Sequence, residues 1–210
     1  LKPDMITELG IARTFQNIRL FSSLSTLNNV KIGRHCRSKK NVFGSVLRTT
    51  SQRTEEQDIL RKAIRYIIFV GLEQMIMEIS SNLSYGDQRR LEIARALVSD
   101  PKLLLLDEPT SAVDVATRST IVDLVRKLHA ERGLTTLYVT HDINEVMPCV
   151  DKVLYINRTV LSFGSCAQVL NRETLESLYG SRVVFAEDSV TAKDENIFLK
   201  LVSIISIKAF

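Results

Sequence analysis

The chain has 210 residues, of which 45% are hydrophobic, and a net charge of +4 at neutral pH. That is enough apolar material for one sizeable core plus a smaller lobe, within the ordinary single-domain range. Three widely spaced cysteines with no C-x-x-C pair and no signal-like start indicate neither a disulfide framework nor a zinc site; no apolar run approaches the roughly 20 residues needed to cross a bilayer, and a reducing cytoplasm fits best.

Residues 11–15 read as a short strand, followed by a loop carrying Gln16 and a connection through 26–30. From about 31 to 80, charged and amide residues mix with apolar ones at helical spacing, such as Ile59, Ala63, Ile67 and Val70, which predicts two or three helices. Within this lobe residues 31–65 hold ten Lys or Arg against Glu55, Glu56 and Asp58. Such a patch reads either as a solvated helical surface or as a face for acidic headgroups or RNA. It lacks the interleaved aromatics that stack bases, so no nucleic-acid partner is expected.

Ser84 and Asp87 form an S-x-x-D start like a capping box, with Leu91, Ala94 and Leu97 on one face beyond it, so a helix begins there. Residues 103–106 are an uninterrupted apolar run of strand length, the pattern of a strand buried on both faces in a parallel sheet. Ile121, Leu124, Val125 and Leu128 mark an amphipathic helix and residues 135–139 a second buried strand. Strand, helix, strand implies a right-handed parallel crossover. Residues 152–156 and 159–163 flank Asn157 and Arg158 as a hairpin, residues 167–179 read as a helix, and the tail after Glu187 has no assignment.

Ligands of open parallel sheets gather beyond the carboxyl ends of the strands, which is where Asp107 and Glu108 fall after the apolar run. An aspartate there can hold magnesium through water, and a neighbouring glutamate can polarise an attacking water, help worth roughly 10²–10⁴-fold in rate. Taken alone, the pair is also what two acids closing a strand before a proline turn look like. Gly86 permits close backbone approach, and a helix beginning at Ser84 offers free N–H groups and partial positive charge to a phosphate. The plain alternative is a helix cap. A lone histidine past a strand, as at His141, is more often structural, and His35 and His129 read as surface residues.

Five pieces taken in order resemble the ATP-binding cassette ATPases: Gln16, the L-S-Y-G-D-Q run from Leu83 to Gln88, the L-L-L-L-D-E-P run from Leu103 to Pro109, S-A-V-D from Ser111 to Asp114, and His141. The resemblance implies an α/β fold, a P-loop NTPase-like core with a mainly parallel sheet plus a helical subdomain at about residues 31–100. One domain would span residues 1–187, followed by a tail, 188–210. It further implies ATP and Mg2+ as cofactors, with Asp107 and Gln16 associated with magnesium, Glu108 as the base and His141 as the switch histidine on the γ-phosphate. Ser84, Gly86 and Gln88 would touch ATP held by the other subunit of a head-to-tail dimer, and Asp114 would lie in the loop that crosses the dimer interface.

Tyr85 stands at the first position of the family's usual glycine pair, a variant associated with amino-acid importers. Residues 10–35 and 83–109 are similar to the ATP-binding subunit of branched-chain amino acid importers, whereas residues 114–180 look more like metal-ion importer ATPases. With a seam near residues 107–114, the chain either joins two related cassettes or is a divergent importer that mixes both patterns. No G-x-x-x-x-G-K-[ST] loop occurs in the sequence. The family's N-terminal strands and phosphate loop would precede Leu1, and each charge-assisted bond from such a loop is worth about 1.5–3 kcal/mol. The expectation is a piece truncated at its N-terminus that binds ATP too weakly by itself.

The implied function is the ATP-hydrolysing, energy-coupling subunit of an importer, for branched-chain amino acids, cytoplasmic and peripheral at the inner face of the cell membrane. Its partners would be membrane permease subunits and a second nucleotide-binding subunit. The alternatives are the same subunit for a metal ion, a non-hydrolysing interaction fragment, and a soluble cassette protein acting on ribosomes or DNA.

Overall fold

The computed structural model describes residues 2–34, 50–140, 150–157, 159–169, 183–186, 189–192 and 200–205. The chain divides into two units, Leu1–Leu104 with Ala112–Thr117, and Leu105–Ser111 with Arg118–Phe210.

In the first unit a short helix with proline in its first turn, α1 (Pro3–Glu8), leads through Gly10 to β1 (Ile11–Arg13). Gly10 has φ +97°, and its carbonyl accepts the N–H groups of Lys102 (2.7 Å) and Leu103 (3.0 Å), laying β1 beside the start of β2 (Leu103–Asp107). The strand expected over residues 11–15 stops at Arg13, because the backbone of Phe15 is bonded to side chains of a helix instead.

Helix α2 (Thr26–Gly33) is capped by Ser25, whose hydroxyl accepts the Asn28 N–H at 3.3 Å. Asn29, buried in α2, ties down the loop before it: Nδ2 donates to the carbonyls of Phe21 and Leu24 and to Ser80 Oγ, and Oδ1 accepts the Phe21 N–H. Helix α3 (Thr50–Phe69) buries Ala63 and Ile67, with Val70 just past its end, at the helical spacing read from sequence. Helix α4 (Tyr85–Leu97) buries Leu91, Ala94 and Leu97 as expected. Helices α2 and α4 approach backbone to backbone, since a Cβ on Gly33 would lie 2.2 Å from the Arg95 carbonyl oxygen. Asp100, just past α4 at φ +49°, gathers Arg34 (2.6 Å), Lys62 (3.0 Å) and the Tyr66 hydroxyl (3.2 Å). Burial pushes its carboxyl up, but the bonds and charges of Lys62 and Arg34 outweigh that and hold it below the usual carboxylate range.

The second unit contains the end of β2, most of α5 (Val115–Arg132), β3 (Thr135–Thr140), β4 (Lys152–Asn157) and β5 (Thr159–Gly164). A short helix α6 (Cys166–Val169) follows, then β6 (Val183–Ala186), β7 (Ser189–Ala192) and β8 (Lys200–Ile205). Its sheet runs in the order β2-β3-β8-β4-β5. The Glu108 N–H, just beyond β2, donates to the Val139 carbonyl near the end of β3 (2.9 Å), so the two strands end together, the parallel arrangement the intervening helix requires. Helix α5 buries Ile121, Leu124, Val125 and Leu128.

The strands are less uniformly covered than their apolar runs suggest. Leu104 and Leu106 are fully buried while Leu103 and Leu105 are half-buried, and in β3 the buried face is Thr136, Tyr138 and Thr140. An apolar run marks two-sided burial only when both faces are sealed, and here one face is closed more tightly than the other. The hairpin β4–β5 is antiparallel with a register shift at Tyr155 and Ile156. Most of the helix expected over residues 167–179 lies outside the described residues. The unassigned tail supplies β7, which pairs with β6, and β8, antiparallel to β3 on one side and β4 on the other.

Candidate functional site

The first group of motif residues lies on α4, the loop from Phe15 to Arg19 and the start of α5, all within the first unit. Ser84 is the N-cap of α4: its Oγ accepts the Asp87 N–H (3.2 Å) and donates to Asp87 Oδ2 (2.8 Å). The Asp87 carboxylate, set favourably near the positive end of the helix, also pairs with Arg90. Thus the reciprocal arm of the expected capping box reaches the Ser84 hydroxyl rather than its backbone. Gln88 turns back, its Nε2 donating to the Leu83 carbonyl at 2.9 Å.

Gly86 is required by packing within the chain. A Cβ there would sit 2.5 Å from Thr117 Cγ2. Thr117 is in turn fixed by Asp114, whose carboxylate accepts the Thr117 N–H (2.9 Å) and hydroxyl (2.6 Å) and so caps α5. Those bonds hold the exposed Asp114 carboxyl below its usual range.

Gln16 is exposed, but its backbone is gripped from α4. Arg89 donates to the Phe15 carbonyl (2.6 Å), the Gln16 carbonyl (2.7 Å) and Glu92 Oε2 (2.9 Å). Glu92 Oε1 accepts the N–H groups of Phe15 (3.5 Å) and Arg19 (3.4 Å). Both side chains are buried, at 0% and 1% exposure. Desolvation pushes the Glu92 carboxyl up, partly offset by Arg89. Sequence reading missed this pair; the signal was two charges at i, i+3 beside the apolar face of Leu91 and Ala94. A cavity of about 320 Å³ opens in the same unit, lined in part by Arg13, Phe21, Glu92 and Arg95.

The second group lies in the second unit. Asp107 ends β2, and Glu108 follows at φ +46°, a left-handed conformation that costs a glutamate on the order of 1–3 kcal/mol. The conformation is held by the Glu108 N–H on Val139 and by the Glu108 carbonyl, which accepts the Ser111 N–H at 3.1 Å. Both carboxylates are half-buried, and in the same unit the buried hydroxyls of Thr110 and Tyr138 bond at 3.1 Å. His141 lies outside the described residues. Among the described residues no three His, Cys, Asp or Glu gather as a cage for a metal ion. A pair of carboxylates at a strand end suits magnesium, which keeps its waters and takes one or two carboxylates plus phosphate oxygens.

A family model described as ABC transporter matches residues 4–111. The high-affinity branched-chain amino acid transport ATP-binding protein LivG of Escherichia coli K12 is 33% identical over 180 residues, covering 85% of this chain and 71% of LivG. The sulfate/thiosulfate import ATP-binding protein CysA 1 of Chromobacterium violaceum is 32% identical over 176 residues, 83% of this chain and 46% of CysA 1. Among solved structures, an inward-facing metal-chelate type ABC transporter superposes with a TM-score of 0.68 at 26% identity, over 92% of this chain and 73% of that one.

Proposed function

Because this chain belongs to the ABC transporter family, as an ATPase subunit of the importer type, we propose that it couples ATP hydrolysis to the import of branched-chain amino acids. The substrate class rests on LivG, which is matched over 71% of its length against 46% of CysA 1. LivG and CysA 1 are ATP-binding proteins of transport and import, and a solved ATP-binding cassette 28% identical to this chain is a dimer in a post-hydrolysis state with ADP and phosphate. In our reading this chain sits in the cytoplasm against the inner face of the membrane, and among the described residues no helix is long and apolar enough to cross one.

The observation that carries the chemistry is Glu108, held in a strained left-handed conformation at the carboxyl end of parallel strands beside Asp107. Magnesium bound at this strand end would neutralise phosphate charge; Asp107 would hold it, and Glu108 would orient and deprotonate the attacking water. The roles of Gln16 and His141 toward magnesium and the γ-phosphate rest on the family resemblance alone. Ser84, Gly86 and Gln88, at the N-terminal end of α4, would meet nucleotide bound by a second subunit in a head-to-tail dimer, and Asp114 would lie at that interface. To donate to a phosphate oxygen, the Ser84 hydroxyl has to give up its hydrogen bond to Asp87. Phe15, Phe21, Met77 and Ile79 in the first unit are exposed apolar side chains that a permease helix could cover.

Uptake of radiolabelled leucine, sulfate and metal ions in source cells depleted of this chain tests the substrate class. Loss of leucine uptake alone supports it. Loss of sulfate or metal uptake, the second reading favoured by CysA 1 and the metal-chelate transporter, overturns the substrate class and leaves the ATPase reading standing.

A further inference from the structure

We infer that Arg89 and Glu92 are positioning residues that fasten the Gln16 loop to α4, so that the loop and the Ser84 end of that helix move as one piece. The inference deepens, and rests on, the roles proposed for Gln16 and Ser84. Residues 14–20 belong to no helix or strand, and Phe15, Gln16, Asn17 and Arg19 are exposed. The backbone of this loop is set by two side chains of opposite charge acting on groups of opposite polarity. The Arg89 guanidinium spreads its two arms over consecutive carbonyls, Phe15 and Gln16, while one oxygen of Glu92 takes the N–H groups of Phe15 and Arg19. Each ion also faces the other at 2.9 Å.

A buried ion pair adds little net stability over an apolar pair of the same volume, so stability alone gives no reason to keep two charges in this interior. What the charges do that leucine and methionine would not is hold a loop by its backbone. Arg89 and Glu92 lie one to two turns along α4 from Ser84, about 8–12 Å at the helical rise. A bonded helix transmits displacement over that distance as a rigid rod, so a force on the Gln16 loop reaches the anion-facing N-terminus through these two residues. On the outer side the Arg13 and Arg19 guanidinium groups lie over the Phe15 ring at 5.3 and 4.8 Å.

Amide hydrogen exchange on the full chain, resolved by residue and without nucleotide, tests the clamp directly. The variant carries Arg89→Met and Glu92→Leu together, removing both charges so that neither is left buried alone. Exchange at Phe15 and Arg19 should rise about tenfold, the size of one or two lost hydrogen bonds, with the thermal midpoint and the protection of Leu104 and Leu106 unchanged. Glu92→Gln, which keeps an acceptor at the same place, should restore part of the protection, and it decides the matter alone if the double variant does not fold. Unchanged exchange at Phe15 and Arg19 in either variant would overturn the inference. So would a loss spread evenly through α4 and β2, which marks a packing role only. Because the readout needs no ATP, it stands or falls separately from the ATPase reading.

Discussion

The carboxylate edge and the loop-and-helix group reach their geometries by different means. At the edge, backbone does the placing: β2 delivers Asp107, one strained φ turns Glu108, and a single N–H to Val139 fixes the turn. Around Gln16 and Ser84, side chains do the placing, through Arg89, Glu92, Asn29 and the Asp114–Thr117 cap. A backbone-built site tolerates changes in neighbouring side chains. A side-chain-built site fails when one partner goes, because the other is left buried and unpaired.

The largest effect should come from Arg89→Ala, which leaves the buried Glu92 carboxylate with only the more distant Arg95, at 4.0 Å, as a counter-charge. A loss of about 3–5 kcal/mol is expected, read as a lower urea midpoint. A cost under about 1 kcal/mol would remove the contrast between the two regions. Next, Gly86→Ala drives a methyl group into Thr117 and should cost about 1–3 kcal/mol as overpacking does. Thr117→Ser deletes the clashing Cγ2 and keeps the hydroxyl on Asp114, so the pair of substitutions should recover most of the loss; no recovery would locate the role of Gly86 elsewhere.

Asp114→Ala should lower the melting temperature by less. The bonds from Thr117 depress the Asp114 carboxyl, so its contribution is present above the unfolded carboxylate range and disappears as pH falls through the folded value. The difference between variant and parent should therefore close in acid, and a difference independent of pH would contradict the cap. The one change expected not to destabilise is Glu108→Gly. Relief of a left-handed strain of about 1–3 kcal/mol matches or exceeds the roughly 0.4–1 kcal/mol lost to the added freedom of the unfolded chain, so stability should stay level or rise. A large loss would mean that the Glu108 side chain, rather than backbone, builds the edge.

What could be read from sequence was whatever followed a local period or a short motif. The strand before Asp107, the apolar face of α4 at Leu91, Ala94 and Leu97, and the Ser84 start all follow from spacing, and the structure has them there. The β4–β5 hairpin was legible from Asn157 and Arg158, though not the register shift within it. Arg89 and Glu92 were not legible, because charges on a helix normally face water and only the partner loop, more than seventy residues away in sequence, explains their burial. The internal role of Gly86 was hidden for the same reason, since nothing in L-S-Y-G-D-Q names Thr117. Strand β8 was equally opaque, because its partners Thr136 to Thr140 and Lys152 to Ile156 lie far upstream and no turn signal links them.

In our reading Asp107 and Glu108 furnish part of a nucleotide site, and the sequence holds no G-x-x-x-x-G-K-[ST] loop to supply its phosphate donors. The most direct test is calorimetric titration of magnesium-ATP into the chain as it stands and into a version with a cassette front end, containing a phosphate loop, fused before Leu1. Binding in the fused form that weakens with Asp107→Asn, and none in the bare chain, is the predicted result. Micromolar binding by the bare chain, or a fused form indifferent to Asp107, would contradict the account.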